Sequence, residues 1–249
     1  MAANDKKKKI GQQGIMAVLV LIAAAAIVIF LVGGQNRLKD VEVFCVNGEI
    51  SAAQRDEIIR SSTLKMGAQI EAIADIENDV RNGVNATGFA RFEKIERISN
   101  GAFRLTVSIR EPLCVVQAGG YYVLIDEDAM VIEVISHLPR ESYVCVTGAD
   151  ISNYSKGKTL VLRKEKQLED IIRIASAIRR LGYESTYSEF NVKDLKSIYL
   201  VTTTNQMVEI FDGKNIEQTL QMVNEIISSG RTNGKIIVSG DYAVYDADQ

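Results

Sequence analysis

An uninterrupted apolar run near the N-terminus constrains this chain more than any other feature of its sequence. Residues 15–32 read IMAVLVLIAAAAIVIFLV and carry no charge. As an α-helix rising about 1.5 Å per residue, this run spans roughly 27 Å, close to the hydrocarbon thickness of a bilayer. The sequence therefore predicts a transmembrane helix over residues 15–33 that contacts membrane lipid, followed by a folded part outside the bilayer.

Charged residues on either side of the run predict its orientation. Lysines occupy positions 6–9, whereas only Arg37 and Lys39 follow the run closely. The positive-inside bias then makes residues 1–14 a short basic cytoplasmic tail and puts the rest of this single-pass chain outside the cytoplasm. A cleaved signal peptide is the competing interpretation, but its apolar region is usually about 7–15 residues long and ends in a small-x-small cleavage site. Here the alanines at 23–26 lie inside the run, which favours an uncleaved anchor.

The composition is otherwise that of a globular chain. Of 249 residues, 47% are hydrophobic and only two are proline, so a sizeable core can form. The net charge of −3 provides no long-range attraction for nucleic acid. The chain has an odd number of cysteines for an exported protein: Cys45, Cys114 and Cys145. Their strand-like surroundings favour buried thiols, although a disulfide between any two of them is an open alternative.

Residues 39–111 have the pattern of one small unit in the order β-α-α-β-β. The alternating stretch VEVFCVNG predicts a strand that runs into a turn, and Ser51 with Gln54 forms a capping box for a short helix. A second helix is predicted over residues 71–82, with a stop at Gly83. Two further strands, at 88–98 and 103–109, flank the hairpin signal Asn100-Gly101. Both helices should pack on one face of the three-stranded sheet, because neither is stable alone.

After the proline at position 112 the pattern changes to short strands, and residues 112–246 are predicted to form a second domain. Helical periodicity is confined to about 163–181 and 215–229. Antiparallel strands dominate this prediction, with both helices packed on one side, so the fold class is α+β. The predicted strands are 113–118, 121–126, 130–135, 143–147, 187–192, 197–202, 207–211, 235–238 and 242–245.

The polar residues do not assemble into a recognisable catalytic, cofactor or metal site. His137 is the only histidine and lies in a loop, so a triad or dyad has no second one to use. The cluster at 126–128 (Asp-Glu-Asp) lacks the glycine and distal glutamate of a calcium loop, and fits an ordinary turn. The triplet Gly-Lys-Thr at 157–159 resembles the end of a phosphate-binding loop, but the required earlier glycine is Ser152. The sequence therefore predicts a protein that is not an enzyme and has no cofactor.

The triplet Arg110-Glu111-Pro112 stands between the two predicted domains. Nothing near it in the sequence offers a nucleophile, a metal set or a second carboxylate at a meaningful spacing. Pro112 cannot continue a strand ladder, so the first sheet should end there. We therefore interpret the triplet as an inter-domain joint whose charged pair can bridge the domains by ion pairing.

Taken in order, these parts resemble the FtsQ/DivIB family of bacterial cell-division proteins. The resemblance extends from about residue 6 to residue 246. Two departures stand out: Ala129 occupies a turn position where the family usually has glycine, and the joint reads Arg110-Glu111-Pro112 where many members have Glu-Arg-x-Pro. The stretches that carry the resemblance are VEVFCVNGEISAAQRDEII, VSIREPLCVVQAGGYYVLIDEDAMVIEV and GKIIVSGDYAVYDAD.

The resemblance implies a POTRA domain at residues 39–111 and a family β-domain at 112–246. It implies a non-catalytic scaffold of the division site that links and regulates septal peptidoglycan-synthesis proteins. The implied partners are FtsB/DivIC-like and FtsL-like single-pass proteins, and the implied location is the cell membrane at the division septum. A membrane-anchored extracytoplasmic enzyme or sensor of unknown substrate is the alternative.

The same resemblance directs attention to the last predicted strand, Tyr242-Ala243-Val244-Tyr245. An edge strand has free N–H and C=O groups that a partner strand can extend, and Tyr242 and Tyr245 would be amphipathic anchors at that contact. The alternative is that both tyrosines only cover the sheet. The substitution Val244→Pro is expected to remove one donor from the edge and to weaken partner binding.

Overall fold

The computed structural model describes residues 20–25, 37–70, 73–139, 143–211, 215–231 and 234–247. Of the predicted transmembrane helix at 15–33, residues 20–25 are helical, and the remainder lies outside the described residues, as does the predicted tail at 1–14. Within the described ranges, no helix has the length and apolar character needed to cross a membrane.

The first folded unit has the predicted order β-α-α-β-β. In its sheet the third strand lies in the middle, with the first strand parallel to it on one side and the second antiparallel on the other. The predicted capping box is present, since Ser51 Oγ accepts from Gln54 N at 3.2 Å and Gln54 Oε1 accepts from Ser51 N at 2.9 Å. The elements are β1 (Asp40–Cys45), α1 (Ala52–Ser61), α2 (Ile73–Ala86), β2 (Ala90–Ser99) and β3 (Ala102–Ile109).

Helix α2 does not end where the sequence predicted. It continues through Gly83 to Ala86, and Gly83 serves helix packing instead of capping. A Cβ on Gly83 would lie 1.8 Å from the carbonyl oxygen of Ser61, so only glycine lets α1 and α2 approach this closely. Behind the helices, Val80 and Val84 pack with Leu105 in a fully buried core.

The second unit is built on a nine-stranded sheet. The elements are β4 (Cys114–Ala118), β5 (Tyr121–Ile125), β6 (Val131–Ile135), β7 (Cys145–Thr147), β8 (Ile151–Asn153), β9 (Val161–Leu162), α3 (Glu165–Arg180), β10 (Tyr187–Asn191), β11 (Ser197–Thr202), β12 (Met207–Phe211), α4 (Ile216–Ser228), β13 (Lys235–Ser239) and β14 (Tyr242–Asp246). The strand order of the large sheet is β14-β13-β12-β11-β10-β7-β4-β5-β6, with β14 and β6 at the edges. A separate two-stranded ribbon, β8 with β9, was not predicted.

This sheet is mixed, and the prediction of an antiparallel sheet was correct only in part. Three of the eight neighbouring pairs are parallel: β4 with β7, β7 with β10, and β12 with β13. Two of these parallel pairs are connected through a helix, α3 or α4, because parallel neighbours need a long crossover. The α+β class itself is observed.

Both helices lie on one face of the large sheet, as predicted. Ile174 of α3 and Leu220 of α4 belong to the same buried core as Leu200 of β11. On the opposite, helix-free face, a smaller buried cluster around Val115 and Leu124 covers only the strands near β6. The helix-free face of β11–β14 is more open.

All three cysteines are free thiols. Cys145 pairs in register with Val115, so Cys114 and Cys145 lie on opposite faces of the sheet, while Cys45 belongs to the first sheet. Burial raises the pKa of Cys145 to about 11, with a further contribution from the charge of Glu189. Burial also raises the pKa of Cys114. Both buried thiols therefore stay protonated at neutral pH.

Candidate interaction edge and inter-domain joint

The last two strands, β13 and β14, form a tight hairpin whose turn determines the hydrogen-bonding pattern between them. Ser239 pairs with Tyr242, leaving Gly240 and Asp241 as a two-residue loop. Gly240 has φ +57° and Asp241 is not among the residues with positive φ, which is the pattern of a type II′ turn with glycine first. This turn suits the twist of two antiparallel strands, so a Ser-Gly-Asp sequence closes the hairpin here.

The turn also determines which backbone groups of β14 face outward. Ser239 and Tyr242 close a two-residue loop and are therefore a hydrogen-bonded pair, and such pairs alternate along an antiparallel ladder. Val244, opposite Ile237, is then hydrogen-bonded to β13 as well. The N–H and C=O groups of Ala243 and Tyr245 point away from β13. In the described part of the chain, no strand pairs with that outer side.

This alternation of inward-facing and outward-facing backbone groups along β14 corrects the expectation for Val244→Pro. The N–H of Val244 belongs to the ladder with β13, so proline there would damage the hairpin instead of removing a donor from the edge. Ala243 is the position at which proline removes an outward N–H, and edge strands tolerate proline when its nitrogen faces outward.

The side chains of β14 divide between the two faces of the sheet. Tyr242 is 78% exposed and Val244 is 59% exposed, both on the helix-free face. Ala243 and Tyr245 pack against the main core on the helix side, and the guanidinium of Arg231 lies 5.4 Å from the ring centre of Tyr245. Of the two tyrosines, Tyr242 is open to a partner and Tyr245 covers the sheet.

A polar network lies beside this hairpin on the helix-free face, and the sequence analysis missed it. Glu209 Oε1 accepts from Ser197 Oγ at 2.6 Å and from Tyr199 OH at 2.5 Å, while Lys235 Nζ lies 2.5 Å from Oε2. Burial favours a higher pKa for Glu209, but the hydrogen bonds from Lys235, Ser197 and Tyr199 outweigh it and lower the pKa to about 2. The alternation in MVEIF places Glu209 on the same face as Met207, but its partners lie on the two neighbouring strands, Ser197 and Tyr199 on β11 and Lys235 on β13.

Around the network, the helix-free face carries exposed apolar side chains. Met207 is 46% exposed and Phe211 is 38% exposed. The strand register puts Phe211 opposite Ser239, which in turn lies opposite Tyr242. Val244 of β14 lies opposite Ile237 of β13, on the same face of the sheet. Exposed apolar side chains thus occur on both β12 and β14, with Ser239 between Phe211 and Tyr242.

The joint residues occupy the contact between the two sheets. The side chain of Arg110 is 2% exposed and forms an ion pair with Asp126, whose side chain is equally buried. Its Nε donates to the carbonyl oxygen of Ala90 at 3.3 Å, and its Nη2 donates to Asn85 Oδ1 at 3.2 Å. One guanidinium thus connects the end of the first unit to the second.

The other two joint residues play different parts. The carbonyl oxygen of Pro112 accepts a hydrogen bond from Arg179 Nη2 of helix α3. Glu111 is exposed. Arg91 adds a second cation beside the joint, paired with Asp128 and lying 3.7 Å from Asp126 Oδ2.

The turn that supplies Asp126 places Ala129 in a backbone conformation that favours glycine. Asp126 Oδ1 accepts from the backbone N–H groups of Asp128 at 3.0 Å and Met130 at 2.8 Å. Ala129 in this turn has φ +58°, a conformation in which glycine carries no penalty. The acidic triplet is therefore a turn, as expected, and also supplies the counter-ion of Arg110, which the sequence analysis did not anticipate.

Two glycines allow the loops at the joint to meet. Gly88 has φ +81°, and a Cβ there would lie 2.5 Å from the carbonyl oxygen of Ile132. Gly157 has φ +74°, and its Cβ would lie 2.5 Å from the Cα of Ala86. The triplet at 157–159 that resembles part of a phosphate-binding loop is thus a packing element between the two units.

The same loop covers the start of the second edge of the large sheet. Val131 N donates to the carbonyl oxygen of Lys158 at 2.9 Å, and the carbonyl oxygen of Val131 accepts from Gly157 N at 2.8 Å. Leu160 N donates to the carbonyl oxygen of Ala129 at 2.8 Å. The start of β6 therefore has its backbone groups occupied.

Within the residues that the structure describes, no group of three or more histidine, cysteine, aspartate and glutamate side chains is placed to hold a metal ion. His137 lies in an exposed loop with its Nδ1 3.3 Å from Ser136 Oγ. No model of a known protein family matches this chain. No curated protein matches it closely enough to count as a relative.

Proposed function

We propose that this chain is a member of the FtsQ/DivIB family and acts as a non-catalytic divisome scaffold. It would link and regulate septal peptidoglycan-synthesis proteins through protein–protein contacts, with residues 15–33 as its membrane anchor. In this proposal the N-terminus is cytoplasmic and the two folded units are extracytoplasmic at the division septum. The partners are FtsB/DivIC-like and FtsL-like single-pass proteins.

The open β14 edge is the observation that carries the proposal. Ala243 and Tyr245 direct N–H and C=O groups away from the sheet, in the arrangement that strand addition uses. A partner strand gains main-chain hydrogen bonds there, and its alternate side chains lie beside Tyr242 and Val244, the exposed apolar groups of the edge. Aromatic anchors next to desolvated backbone bonds are typical of binding hot spots.

The division role is tested in cells of the source organism. An N-terminal fluorescent fusion is followed during growth while the untagged protein is depleted. We expect a midcell band and filamentous cells on depletion. Uniform membrane signal with normal cell length would contradict the proposal and return attention to an anchored enzyme or sensor.

The edge itself is tested by photo-crosslinking in the same cells. A photoreactive residue replaces Val244, and a matched control carries it at Val161, which is also exposed but lies on β9. We expect Val244 to capture a small single-pass septal protein, identified by mass spectrometry, and Val161 not to capture it. Ala243→Pro should abolish the capture. Equal capture at both positions would overturn the assignment of β14 as the binding edge.

A further inference from the structure

Strand β14 has few of the features that usually prevent two sheet edges from pairing, and its one charged side chain is that of Asp246 at its end. It contains no lysine, no proline and no bulge, and its register with β13 is continuous over five residue pairs. We propose that β14 also pairs with β14 of a second copy of this chain, antiparallel and centred on Val244. As a further step, which rests on the proposed function, this pairing occupies the edge and excludes the partner strand.

The residue at the centre of the pairing follows from which β14 residues direct their N–H and C=O groups outward. In an antiparallel pair of identical strands related by a two-fold axis at Val244, Ala243 lies opposite Tyr245 of the second copy, and Tyr245 opposite Ala243. Both members of each pair direct their N–H and C=O groups outward, so each pair forms two hydrogen bonds. The two Val244 residues face each other as a non-hydrogen-bonded pair, whose side chains lie closest together.

The side chains are self-complementary in this register. On the helix side, small Ala243 lies opposite large Tyr245. On the helix-free side, the exposed Val244 side chains contact each other, and a pair of β-branched residues is favourable across strands.

Other centres fit less well. A centre at Tyr245 would oppose two tyrosine rings and bring together the two Arg231 guanidinium groups that lie over them, which repel each other. A centre at Ala243 would put Tyr245 opposite Asp241, which lies in the turn and not in the strand. Val244 is the centre that uses both outward residues of β14 without these conflicts.

The contact is small, since a few hydrogen bonds and a valine pair make up its core. Interfaces well below the standard size are weak and transient. The dimer is therefore reversible and depends on concentration, which suits a competitor that a partner strand can displace.

Disulfide crosslinking tests the register in the 249-residue chain, purified in detergent. Facing residues of a non-hydrogen-bonded pair have Cα atoms about 4.5 Å apart, which is within the range that a disulfide spans. We expect Val244→Cys to form a covalent dimer under mild oxidation. Tyr242→Cys is the matched control, because Tyr242 is more exposed than Val244 but lies opposite Asp246 of the second copy. The unsubstituted chain reports any background from the native thiols.

Equal dimer yields for Val244→Cys and Tyr242→Cys would overturn the proposal, because random collisions would then explain both. A second variant combines Val244→Cys with Ala243→Pro, which removes an outward donor. We expect the loss of most of the crosslinked dimer with an unchanged circular dichroism spectrum. Retained crosslinking in this folded variant would show that backbone pairing at the edge is not responsible.

The exclusion step is tested with a labelled synthetic peptide of residues 240–247, read by fluorescence anisotropy. We expect it to bind the reduced Val244→Cys protein and not the oxidised dimer. Binding to both would refute exclusion. These measurements contain no septal partner, so their failure would leave the proposed function standing. Conversely, a Val244 crosslink to a second copy without any septal protein in cells would refute only the proposed function.

Discussion

The two edges of the nine-stranded sheet are treated differently. At β6, the loop at 157–160 occupies the backbone groups of Ala129 and Val131, and the same loop packs against Ala86 of the first unit. At β14, the outward groups of Ala243 and Tyr245 have no strand beside them in the described part of the chain. The start of the β6 edge is thus occupied by a loop that also contacts the first unit. No strand of the described residues pairs with the outer side of β14.

The joint should therefore contribute mainly to stability and the outer side of β14 mainly to association, and substitutions can test both expectations. Changes at the joint should lower the stability of the protein and loosen the β6 edge. Changes at the outward positions of β14 should affect association and leave stability nearly unchanged.

Breaking the buried pair at the joint should have the largest effect. Arg110→Ala leaves Asp126 as a buried charge without its main partner, which costs about 3–5 kcal/mol of unfolding free energy. We expect a lower urea midpoint and faster amide exchange at Val131 and Leu160, without faster exchange in β14. Glu111→Ala, at the exposed neighbour, should change stability by less than about 0.5 kcal/mol.

A compensating variant sharpens that result. Arg110→Met with Asp126→Asn leaves no unpaired charge and keeps an acceptor for the turn at 126–130. It should be more stable than Arg110→Ala. If exchange in β14 rises as much as in β6 for Arg110→Ala, the two edges are not independent and the comparison fails.

Filling the space at Gly157 should have the next largest effect. Gly157→Ala combines left-handed backbone strain with overpacking against Ala86, roughly 2–5 kcal/mol in total. Gly182→Ala is the matched control, because Gly182 has a similar φ of +71° but nothing within 4 Å of its Cβ position. It should cost only about 1–2 kcal/mol. Equal thermal shifts for the two variants would mean that loop packing at the joint contributes nothing.

Proline substitution should destabilise β14 more where the N–H bonds to β13 than where the N–H faces outward. Val244→Pro removes a bond to β13 and should cost about 1–3 kcal/mol, because the carbonyl of Ile237 loses its donor. Ala243→Pro should cost less than about 1 kcal/mol, since its N–H faces outward. Thermal unfolding gives the comparison. A larger stability loss for Ala243→Pro than for Val244→Pro would show that Ala243, and not Val244, hydrogen-bonds to β13.

The polar network gives a pH-dependent prediction for the open half of the sheet. The pKa of Glu209 falls from an ordinary 4.5 to about 2, so its contribution to stability is fully present above pH 4.5 and is lost as the pH falls toward 2. Glu209→Gln should remove that dependence. We therefore expect the stability difference between the two proteins to shrink from pH 5 to pH 2. A constant difference over that range would contradict the assignment.

Local features of this fold could be predicted because neighbouring residues determine them. The capping box at Ser51 and Gln54 and the order β-α-α-β-β depend on contacts within a few residues, and both are observed. The extension of α2 past Gly83 was missed because the close contact with Ser61 comes from another helix. A glycine near the end of a helical pattern looks the same in sequence whether it caps or packs.

Long-range pairing explains the remaining differences. The parallel strand pairs, the counter-ion Asp126 and the pairing of Lys235 with Glu209 all join different elements of the chain. The hydrogen bond from Val244 to β13 is a different case, because it could have been predicted from the two-residue turn that Ser-Gly-Asp indicates. A two-residue loop fixes which residues bond to β13, and counting from Tyr242 would have shown that Val244 does.

The hairpin at the open edge also has a mechanical consequence. Hydrogen bonds in an antiparallel pair run perpendicular to the strands. A chain attached to β14 and pulled along the strand axis loads the bonds to β13 together, in shear. A pull across the sheet opens the same bonds one after another, beginning at the end that is loaded first. The attachment is therefore strong in one direction and weak in the other, so the direction of traction would decide how long a bound chain stays in place.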